Sequence, residues 1–320
     1  MMVLVTGGCG YCGSVLVPKL LDKGHVVTVL DAMWFGENLA PRGNLVLVQE
    51  DLRNIGLIKQ AWFEKFDAVI HLAGIANDPC GDLDAKLTWE VNVLATTRLA
   101  DACTKAGVKQ FIFASSASIY GIKDNRPVTE DEPFEPVSDY NKTKMVAERA
   151  LLSYADKFAL QIVRPATVCG WSPRMRLDTI VNMLTMQAIE TRKITAHCGA
   201  HGGKLVRPHA HIEDITDLYC WLLERPHITG AYNAGFENMT VEELAAEIAA
   251  QVECEVTYTE VADKRSYAVD SSRLKSLGFV PRFSVPNAVA SLVRHYNDGT
   301  LRRRPDAINL EWMRSNGIAA

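Results

Sequence analysis

The sequence lacks the features that mark membrane, secreted and nucleic-acid-binding proteins. It contains no run of about 18 apolar residues, so we expect no transmembrane helix. The first residues have no basic region and no small-residue cleavage site, and we expect no signal peptide. Repeats and low-complexity segments are also missing. A net charge of −4 gives no general attraction to nucleic acid or to an anionic membrane, so any anion must be held by a local site.

Cysteine is present, but not in the pattern of a disulfide framework. Eight cysteines are spread over 320 residues, and apart from Cys9 and Cys12 they stand singly. A reducing cytoplasm is therefore the location that we expect. With 48% hydrophobic and 22% charged residues, the composition is typical of a soluble globular protein. The length suits one large α/β domain or two modest ones.

The first elements of the chain follow the order of a dinucleotide-binding unit. Residues 2–6 (MVLVT) have the apolar, β-branched pattern of a buried parallel strand. Glycines follow, then a helical pattern over residues 14–23, and then a second strand over residues 26–30 that ends at Asp31. Strand, glycine loop, helix, strand and acid in this order predict a loop that holds a pyrophosphate.

Each glycine of the loop has a physical task in that arrangement. Gly7 permits a tight turn, Gly10 lets a pyrophosphate approach the backbone, and Gly13 lets the helix pack closely on the strand. The helix N-terminus adds free N–H groups and the positive end of a dipole. Asp31 can accept hydrogen bonds from a ribose diol, and no arginine directly follows it to hold a 2′-phosphate. The sequence therefore favours NAD over NADP as the cofactor.

Cys9 and Cys12 allow another interpretation, as a redox pair or as half of a zinc site. Structural zinc takes about four ligands, and the chain has no second Cys-x-x-Cys. His197, Cys198 and His201 could donate, but nothing in the sequence places them near this loop. We therefore expect no metal site, and we expect the two cysteines to fill non-glycine positions, with Cys12 as a small packing residue.

Strand and helix patterns continue to alternate along the chain, which predicts an α/β fold. We expect a Rossmann-like, doubly wound parallel sheet with right-handed crossovers and helices on both faces. Past about residue 170 the regularity fades, which suggests a smaller lobe. The further predicted strands are 45–49, 67–72, 109–115 and 160–164, and the further predicted helices are 84–106, 138–154, 212–225 and 241–251.

Tyr140 and Lys144 stand one helical turn apart in YNKTK and lie on one face of a predicted helix. A phenol has a pKa of about 10, which is too high for a base at neutral pH, but a nearby ammonium and a cationic nicotinamide would favour the phenolate. The pair follows a predicted strand that ends at Ala114, Ser115 and Ser116, and ligands bind at such strand ends. We predict that Ser116 hydrogen-bonds the substrate oxygen that Tyr140 deprotonates. An exposed helix face is the alternative for the pair.

Motifs run in a fixed order along the chain: TGGCGYCG (6–13), Asp31, Asp51-Leu52, HLAG (71–74), Asn92 in VNVLATTRLADAC, SSASIYG (115–121), YNKTK (140–144), IVRPATVCG (162–170), VRPHAHIEDITD (206–217), YNAGFENMTVEEL (232–244) and LGFVP (277–281). In this order they resemble the extended short-chain dehydrogenase/reductase family, the NAD-dependent sugar-nucleotide epimerases and dehydratases. The resemblance covers nearly the whole chain. It implies NAD as the cofactor and a nucleoside-diphosphate sugar as the substrate.

The resemblance also implies roles for the matching residues. Ser116, Tyr140 and Lys144 would be catalytic, and Asn92 would be structural or part of a proton relay. The residues implied to hold NAD are Gly7, Gly10, Tyr11, Cys12, Gly13, Asp31, Asp51, Leu52, Leu72, Ala73, Gly74, Asn92, Tyr140 and Lys144. The residues implied to bind the substrate are Ser116, Ser118, Thr167, Arg176, Asn182, Arg207 and Arg265.

Two further segments, residues 172–184 and 263–279, resemble one branch of that family. The branch contains sugar-nucleotide 4-epimerase-like proteins and enzymes that oxidise C4 of a nucleotide-linked heptose. Arg174, Arg176 and Arg265 therefore become candidates for diphosphate or base contacts, although arginines in irregular segments can simply bind carbonyls. Arg207 is also a chemical candidate, because a diphosphate suits a bidentate arginine; a surface-loop arginine is the alternative.

The resemblance favours epimerisation over dehydration. The 4,6-dehydratases of this family carry an Asp-Glu pair just after the residue that matches Ser116, whereas this chain has Ala117 and Ser118. We expect a 4-epimerase that works through a 4-keto sugar. A net C4 oxidoreductase of a sugar or heptose nucleotide is one alternative, and a non-catalytic NAD-sensing regulator is another.

We also expect a particular organisation of the chain. An NAD-binding domain would span residues 1–170 and a substrate-binding lobe residues 171–320, with the segment near 205–235 returning to the first domain. The long predicted helices 84–106 and 138–154 could pair with those of a second copy, and the resemblance implies a homodimer. Nucleic acid and membrane are not expected as partners.

Overall fold

The computed structural model describes residues 1–123, 126–199, 205–261 and 266–319. Its strands are β1 (Met2–Thr6), β2 (Val26–Asp31), β3 (Leu45–Gln49), β4 (Ala68–His71), β5 (Gln110–Ala114), β6 (Pro127–Val128), β7 (Ala159–Pro165), β8 (Thr167–Cys169), β9 (Lys193–Gly199), β10 (Val206–His211), β11 (Gly230–Ala234), β12 (Glu237–Thr240), β13 (Glu255–Val261) and β14 (Ala268–Val269). Its helices are α1 (Gly13–Asp22), α2 (Asp78–Leu83), α3 (Ala85–Trp89), α4 (Thr96–Ala106), α5 (Asp139–Leu152), α6 (Ile180–Thr191), α7 (Ile212–Leu223), α8 (Val241–Val252), α9 (Ser272–Ser276), α10 (Val285–Asn297) and α11 (Asn309–Ser315).

Seven strands form the central sheet in the order β11-β7-β5-β4-β1-β2-β3. All neighbouring pairs in this sheet run parallel. The order turns at β1, because β2 and β3 extend to one side and β4, β5 and β7 to the other. The carboxyl ends of β1 and β4 therefore flank the crevice where open parallel sheets bind ligands. The predicted Rossmann-like, doubly wound fold is confirmed.

Alternate residues of β1 pack on opposite faces of the sheet, as the two-residue period of a strand requires. Val3 and Val5 lie in an apolar cluster with α1 and α7 on one face. Leu4 lies in a second cluster, with α4 and α5, on the other face. All three side chains are fully buried, so the sheet is covered on both sides.

The predicted helix 84–106 is interrupted by a π-helical segment over Glu90–Ala95, which joins α3 to α4. Such widened turns often serve a specific local contact. Here Asn92 lies in the segment; its amide oxygen accepts from Ile75 N at 2.8 Å, and its amide nitrogen donates to Ile75 O and Thr143 Oγ1, each at 3.0 Å. The π-helical segment therefore ties the loop after β4 to helix α5.

Much of the chain beyond residue 170 forms smaller sheets and helices. Strands β12, β10 and β8 form one sheet, β13 pairs with β9, and β14 pairs with β6. Helices α6, α8 and α10 pack around a separate apolar cluster. Two elements return to the central sheet: β11 pairs with β7, and α7 packs against α1. In the described part of the chain, no helix is long and apolar enough to span a membrane.

Helix α11 packs against the loop that follows β2, a segment that is distant from it in the sequence. Trp312 Nε1 donates a hydrogen bond to Trp34 O at 2.6 Å. Met313 lies in an apolar cluster with Cys80 and Leu87, and Trp34 and Phe35 pack on the same cluster. The sequence patterns did not indicate α6, α10 or α11, although the structure uses α11 to close one side of the crevice.

Candidate active site

A cavity of about 680 Å³ lies at the carboxyl ends of the central strands. One part of its wall is the glycine loop and the ends of β1, β2 and β4; another is the end of β5 with the start of α5. The segments 165–168, 174–180 (without residues 175 and 177) and 308–310 form further parts of the wall. Residues predicted for the cofactor and residues predicted for chemistry therefore share one space.

The glycine loop is packed too tightly for side chains at its two ends. Gly7 has a φ of +73°, and a Cβ added there would lie 2.6 Å from Ala73 N. A Cβ on Gly13 would lie 2.5 Å from Gly7 O. No side chain caps the N-terminus of α1, and its first turn contains no acidic residue. The uncapped helix end at the cavity suits a pyrophosphate, so the chain fits a dinucleotide.

Asp31 stands at the end of β2, on the wall of the cavity. Its Oδ2 accepts from Cys9 N at 2.9 Å, and its Oδ1 accepts from Met33 N at 2.7 Å. Burial raises the pKa of this carboxyl group, and the two backbone N–H groups oppose that rise. Each oxygen still has a lone pair for a ribose hydroxyl.

Asp51 and Leu52 also line the cavity, together with Leu72, Ala73 and Gly74 after β4. Arg53 holds Asp51 through its backbone N at 2.8 Å and through its guanidinium at 2.7 Å. Burial alone would raise the pKa of Asp51, but these hydrogen bonds bring it below its ordinary value. Asp51 is therefore a fixed, ionised wall residue.

Ser116, Tyr140 and Lys144 meet at the centre of the wall. Ser116 follows β5, where its Oγ accepts from Ser118 N at 3.2 Å and lies 2.7 Å from Ser118 Oγ. Tyr140 lies in the first turn of α5 and shares a hydrogen bond with Ser116. Lys144 lies one turn later; its Nζ donates to Ala114 O at 2.9 Å. Tyr140 and Lys144 thus face the cavity, not solvent.

Burial moves the pKa values of Tyr140 and Lys144 away from their ordinary values. Burial raises the pKa of Tyr140, and the hydrogen bond from Ser116 only partly opposes the rise. Burial also lowers the pKa of Lys144 to about 8, with the Glu148 carboxylate opposing the change. The chain by itself therefore holds Tyr140 as the neutral phenol.

Among the residues implied for the substrate, Ser118, Thr167, Arg176 and Arg207 line the cavity. Arg176 is paired with Asp178, its Nε 2.8 Å from Asp178 Oδ1. Arg174 also reaches the cavity, but on the side of the cofactor loop. Its guanidinium lies 4.0 Å from the ring centre of Phe35.

Two of the implied residues stand behind the cavity wall rather than on it. Asn92 belongs to the π-helical segment described above and is buried. Asn182 is fully buried in α6; its Oδ1 accepts from Gly170 N at 2.9 Å, and its Nδ2 donates to Tyr11 Oη at 3.0 Å and to Arg176 O at 2.9 Å. Every contact of the Asn182 amide is thus to protein groups. Arg265 lies outside the described residues.

The cysteines of the loop occupy packing positions. Cys9 is buried in the cluster beneath α1, and Cys12 packs at its edge. Burial raises the pKa of both thiols to about 12. Within the described residues, no group of three or more His, Cys, Asp or Glu side chains could hold a metal ion.

Asp78 and Asn141 stand beside Ser116, Ser118 and Tyr140, and the sequence patterns pointed to neither residue. Asn141 Nδ2 donates to Asp78 Oδ1 at 3.0 Å and to Ser118 Oγ at 2.9 Å. Ser138 and Asn141 form a capping box at the start of α5 in the structure, with the spacing typical of a helix cap. Nothing local indicated the contribution of residues 308–310.

Known proteins match the chain over most of its length. The profile of the NAD dependent epimerase/dehydratase family matches residues 3–235. A UDP-glucose 4-epimerase of Lactobacillus helveticus is 29% identical over 311 residues, covering 88% of this chain and 92% of the relative. A UDP-glucose 4-epimerase of Corynebacterium glutamicum is 32% identical over 238 residues, covering 70% of this chain and 71% of the relative.

A solved structure gives the same result for the fold and the cofactor. The crystal structure of the UDP-glucose 4-epimerase of Thermus thermophilus, a complex with NAD, superposes with a TM-score of 0.82 at 27% identity. The match covers 93% of this chain and 99% of that one. Together with the glycine loop and Asp31, the comparisons confirm NAD as the cofactor. The protein is an NAD-dependent enzyme and belongs to the NAD-dependent epimerase/dehydratase family.

Proposed function

We propose that the protein is a 4-epimerase of a UDP-linked sugar. The observation that carries this proposal is the shared cavity, in which Ser116, Tyr140 and Lys144 stand beside the glycine loop and Asp31. A sugar bound against Tyr140 would lie next to the cofactor. All three epimerases described above are named for UDP-glucose, which supports uridine as the base.

The proposed reaction divides the work between the cofactor and three side chains. NAD, when bound, supplies reversible two-electron oxidation and reduction. With NAD bound, its cationic nicotinamide would favour the phenolate of Tyr140. That phenolate takes the proton of the sugar 4-hydroxyl onto its Oη as C4 is oxidised, and it returns that proton when the 4-keto sugar is reduced on its other face. Ser116 orients the hydroxyl. Lys144 keeps a positive charge one helical turn away. The sum is a change of configuration without net oxidation.

We propose that the cofactor is held by the glycine loop from Gly7 to Gly13, by Asp31 and Asp51, and by the strand end at residues 72–74. The diphosphate of the sugar nucleotide would be held from the opposite wall. Arg176 and Arg207 are the cationic wall residues there, and a guanidinium can bind a diphosphate through two hydrogen bonds. Thr167 and Ser118 would contact the sugar.

Dehydration at C6 is not part of the proposal, because the required acid and base are missing at the expected place. Ala117 is fully buried and carries no acidic group. Ser118 reaches the cavity, but its hydroxyl accepts a hydrogen bond from Asn141. Removing a proton beside the ketone and protonating the leaving hydroxyl would both need groups with a suitable pKa.

The test is the identity of the product. Sugar nucleotides with uridine, guanosine, thymidine and cytidine are first ranked by thermal shift with NAD, and the best binder is then incubated with the enzyme. We expect a product of unchanged mass whose NMR spectrum shows inversion at C4, with no build-up of NADH. The Tyr140→Phe variant should bind the same nucleotide and form no product.

Other products would identify other reactions. Stoichiometric NADH, or a need for an added keto acid to reoxidise it, would indicate the net C4 oxidoreductase. A product lighter by one water would indicate a dehydratase. Binding of NAD without turnover of any sugar nucleotide would support the alternative of a non-catalytic, NAD-sensing regulator.

We propose further that the enzyme is a cytoplasmic homodimer, with an NAD-binding domain over residues 1–170 and a substrate lobe over 171–320. All eight cysteines are unpaired, which suits a reducing compartment. Leu94 before α4 and Leu152 at the end of α5 are 52% and 54% exposed, and a second copy could cover them. We expect a dimer by light scattering at micromolar concentration. A monomer there would refute the assembly.

A further inference from the structure

Asn141 connects the start of α5 with the serine turn after β5. Its amide oxygen accepts from Ser138 N at 3.4 Å, which completes the helix cap. Its amide nitrogen has two hydrogens and two acceptors, Asp78 Oδ1 at 3.0 Å and Ser118 Oγ at 2.9 Å. Asp78 Oδ1 also accepts from Ser138 Oγ at 2.6 Å. Asn141 is almost completely buried, so water does not compete for these bonds.

These partners leave one orientation for the Asn141 amide. Ser138 N is a donor and must face the amide oxygen, and the carboxylate of Asp78 is an acceptor and must face the amide nitrogen. In the reversed amide, the nitrogen would face the donor Ser138 N and the oxygen would face the acceptor Asp78 Oδ1, and neither pair can form a hydrogen bond. Asn141 therefore always presents an N–H to Ser118.

The fixed amide leaves the proton of the Ser118 hydroxyl free to be donated onward. Ser118 Oγ accepts from Asn141, so its own proton is available for Ser116 Oγ, 2.7 Å away. Ser116 Oγ also accepts from Ser118 N at 3.2 Å. With the Ser118 proton donated to Ser116, both lone pairs of the Ser116 hydroxyl are used, and its single proton is left for the cavity.

We propose that Asn141 and Ser118 are positioning residues that make the Ser116 hydroxyl a one-way donor toward the oxygen of Tyr140 and the oxygen of the substrate. A hydroxyl that can only donate stabilises a phenolate and cannot stabilise a phenol by accepting from it. The assignment rests on the proposed function, in which Tyr140 is the base. It deepens that function, because it explains how a buried tyrosine is helped to lose its proton.

Other charged and titratable groups also face Tyr140 and contribute to its pKa. Asp78 raises its pKa and Arg176 lowers it, in addition to burial and the Ser116 hydrogen bond. Cys12 is a further neighbour that raises it. Lys144 lies on the same helix, and Tyr219 of α7 interacts with Tyr140. None of these groups is altered by a change at Ser118.

The test measures the ionisation of Tyr140 directly in the NAD-bound enzyme. Tyrosines are labelled with ¹³C at Cζ, the Tyr140→Phe variant assigns the signal, and the signal is titrated. We expect Ser118→Ala and Asn141→Ala each to raise the pKa of Tyr140 by about one unit, equivalent to about 1.4 kcal/mol. The acid limb of the kcat profile should move to higher pH by the same amount. Ser118→Thr, which keeps the hydroxyl, should restore the titration of the parent.

The control is Ser138→Ala, which removes the other half of the helix cap and leaves the Asn141 amide nitrogen in place. We expect it to reduce stability without moving the titration of Tyr140. An unchanged titration in Ser118→Ala, or an equal change in Ser138→Ala, would overturn the assignment. Because the NMR titration needs no turnover, it tests the positioning roles of Asn141 and Ser118 even if the enzyme proves not to be an epimerase.

Discussion

Folding destabilises the charged form of the Lys144 side chain. The side chain is almost completely buried in α5, with its Nζ bonded to Ala114 O. Burial lowers the pKa of this group from 10.5 to about 8, although the Glu148 carboxylate opposes the change. At neutral pH the amine is still mainly protonated, so the folded state bears the net cost of burying this charge.

The size of this penalty follows from the two pKa values. Each pKa unit corresponds to about 1.36 kcal/mol, so a pKa near 8 in place of 10.5 destabilises the folded state by about 3 kcal/mol at pH 7. Replacing Lys144 by Met removes the charge but also the hydrogen bond to Ala114 O, worth about 1 kcal/mol. We therefore expect Lys144→Met to be inactive and yet more stable than the parent by about 2 kcal/mol at pH 7.

The sign of the pH dependence provides the sharper measurement. Between pH 8 and 10.5 the unfolded chain binds more protons at Lys144 than the folded protein does. The stability of the parent therefore gains from this group as pH rises through that window, and the advantage of Lys144→Met disappears. Urea unfolding of the cofactor-free proteins, at pH 7 and at several values up to pH 10.5, gives both quantities.

The exposed Lys142 on the same helix serves as the matched control, because its ammonium remains in solvent. Lys142→Met should change the free energy of unfolding by less than about 0.5 kcal/mol at every pH. A Lys144→Met protein that is less stable than the parent at pH 7 would refute the reasoning. A stability difference that does not vary between pH 8 and 10.5 would refute it equally.

Three further changes test other parts of the site. Asp31→Ala should reduce the preference for NAD over NADP by about tenfold or more in calorimetric titration, since it removes the charge that repels a 2′-phosphate; equal affinities in the parent would contradict this. Gly13→Ala sets a Cβ against backbone atoms at 2.5 Å and should weaken NAD binding and reduce stability by about 1–3 kcal/mol, whereas Gly43→Ala, with no atom within 4 Å, should change neither. Glu148→Gln should destabilise the protein by about 3 kcal/mol in urea, because Arg164 stays buried without its ion pair; a neutral effect would count against this.

The sequence predicted those parts of the site that local patterns encode. The glycine loop, Asp31 and the Tyr140–Lys144 spacing each lie within one strand–turn–helix unit, and the fold brings these units together at the carboxyl ends of parallel strands. The strand bounds also agree within a residue or two, because a buried strand has a clear apolar pattern.

Other properties depend on contacts that no local pattern contains. Asn182 stands at a position that the family resemblance associated with the substrate, but here the surface of α6 that bears it faces the protein interior, and its amide joins Gly170, Tyr11 and Arg176. The spacing of Tyr140 and Lys144 gives their proximity but not the burial that raises one pKa and lowers the other. The Ser118–Asn141 hydrogen bond likewise joins two separate elements.

The position of α11 has a consequence for the order in which the protein is made. Residues 308–310 form part of the cavity wall, and Trp312 holds the loop that carries Trp34. During synthesis on the ribosome, the glycine loop and both of the first strands emerge long before this helix does. The nascent chain can build the central sheet early, but it cannot complete the cofactor wall until residue 313 has left the exit tunnel. Nascent chains that still have α11 inside the tunnel should therefore bind NAD more weakly than the released protein.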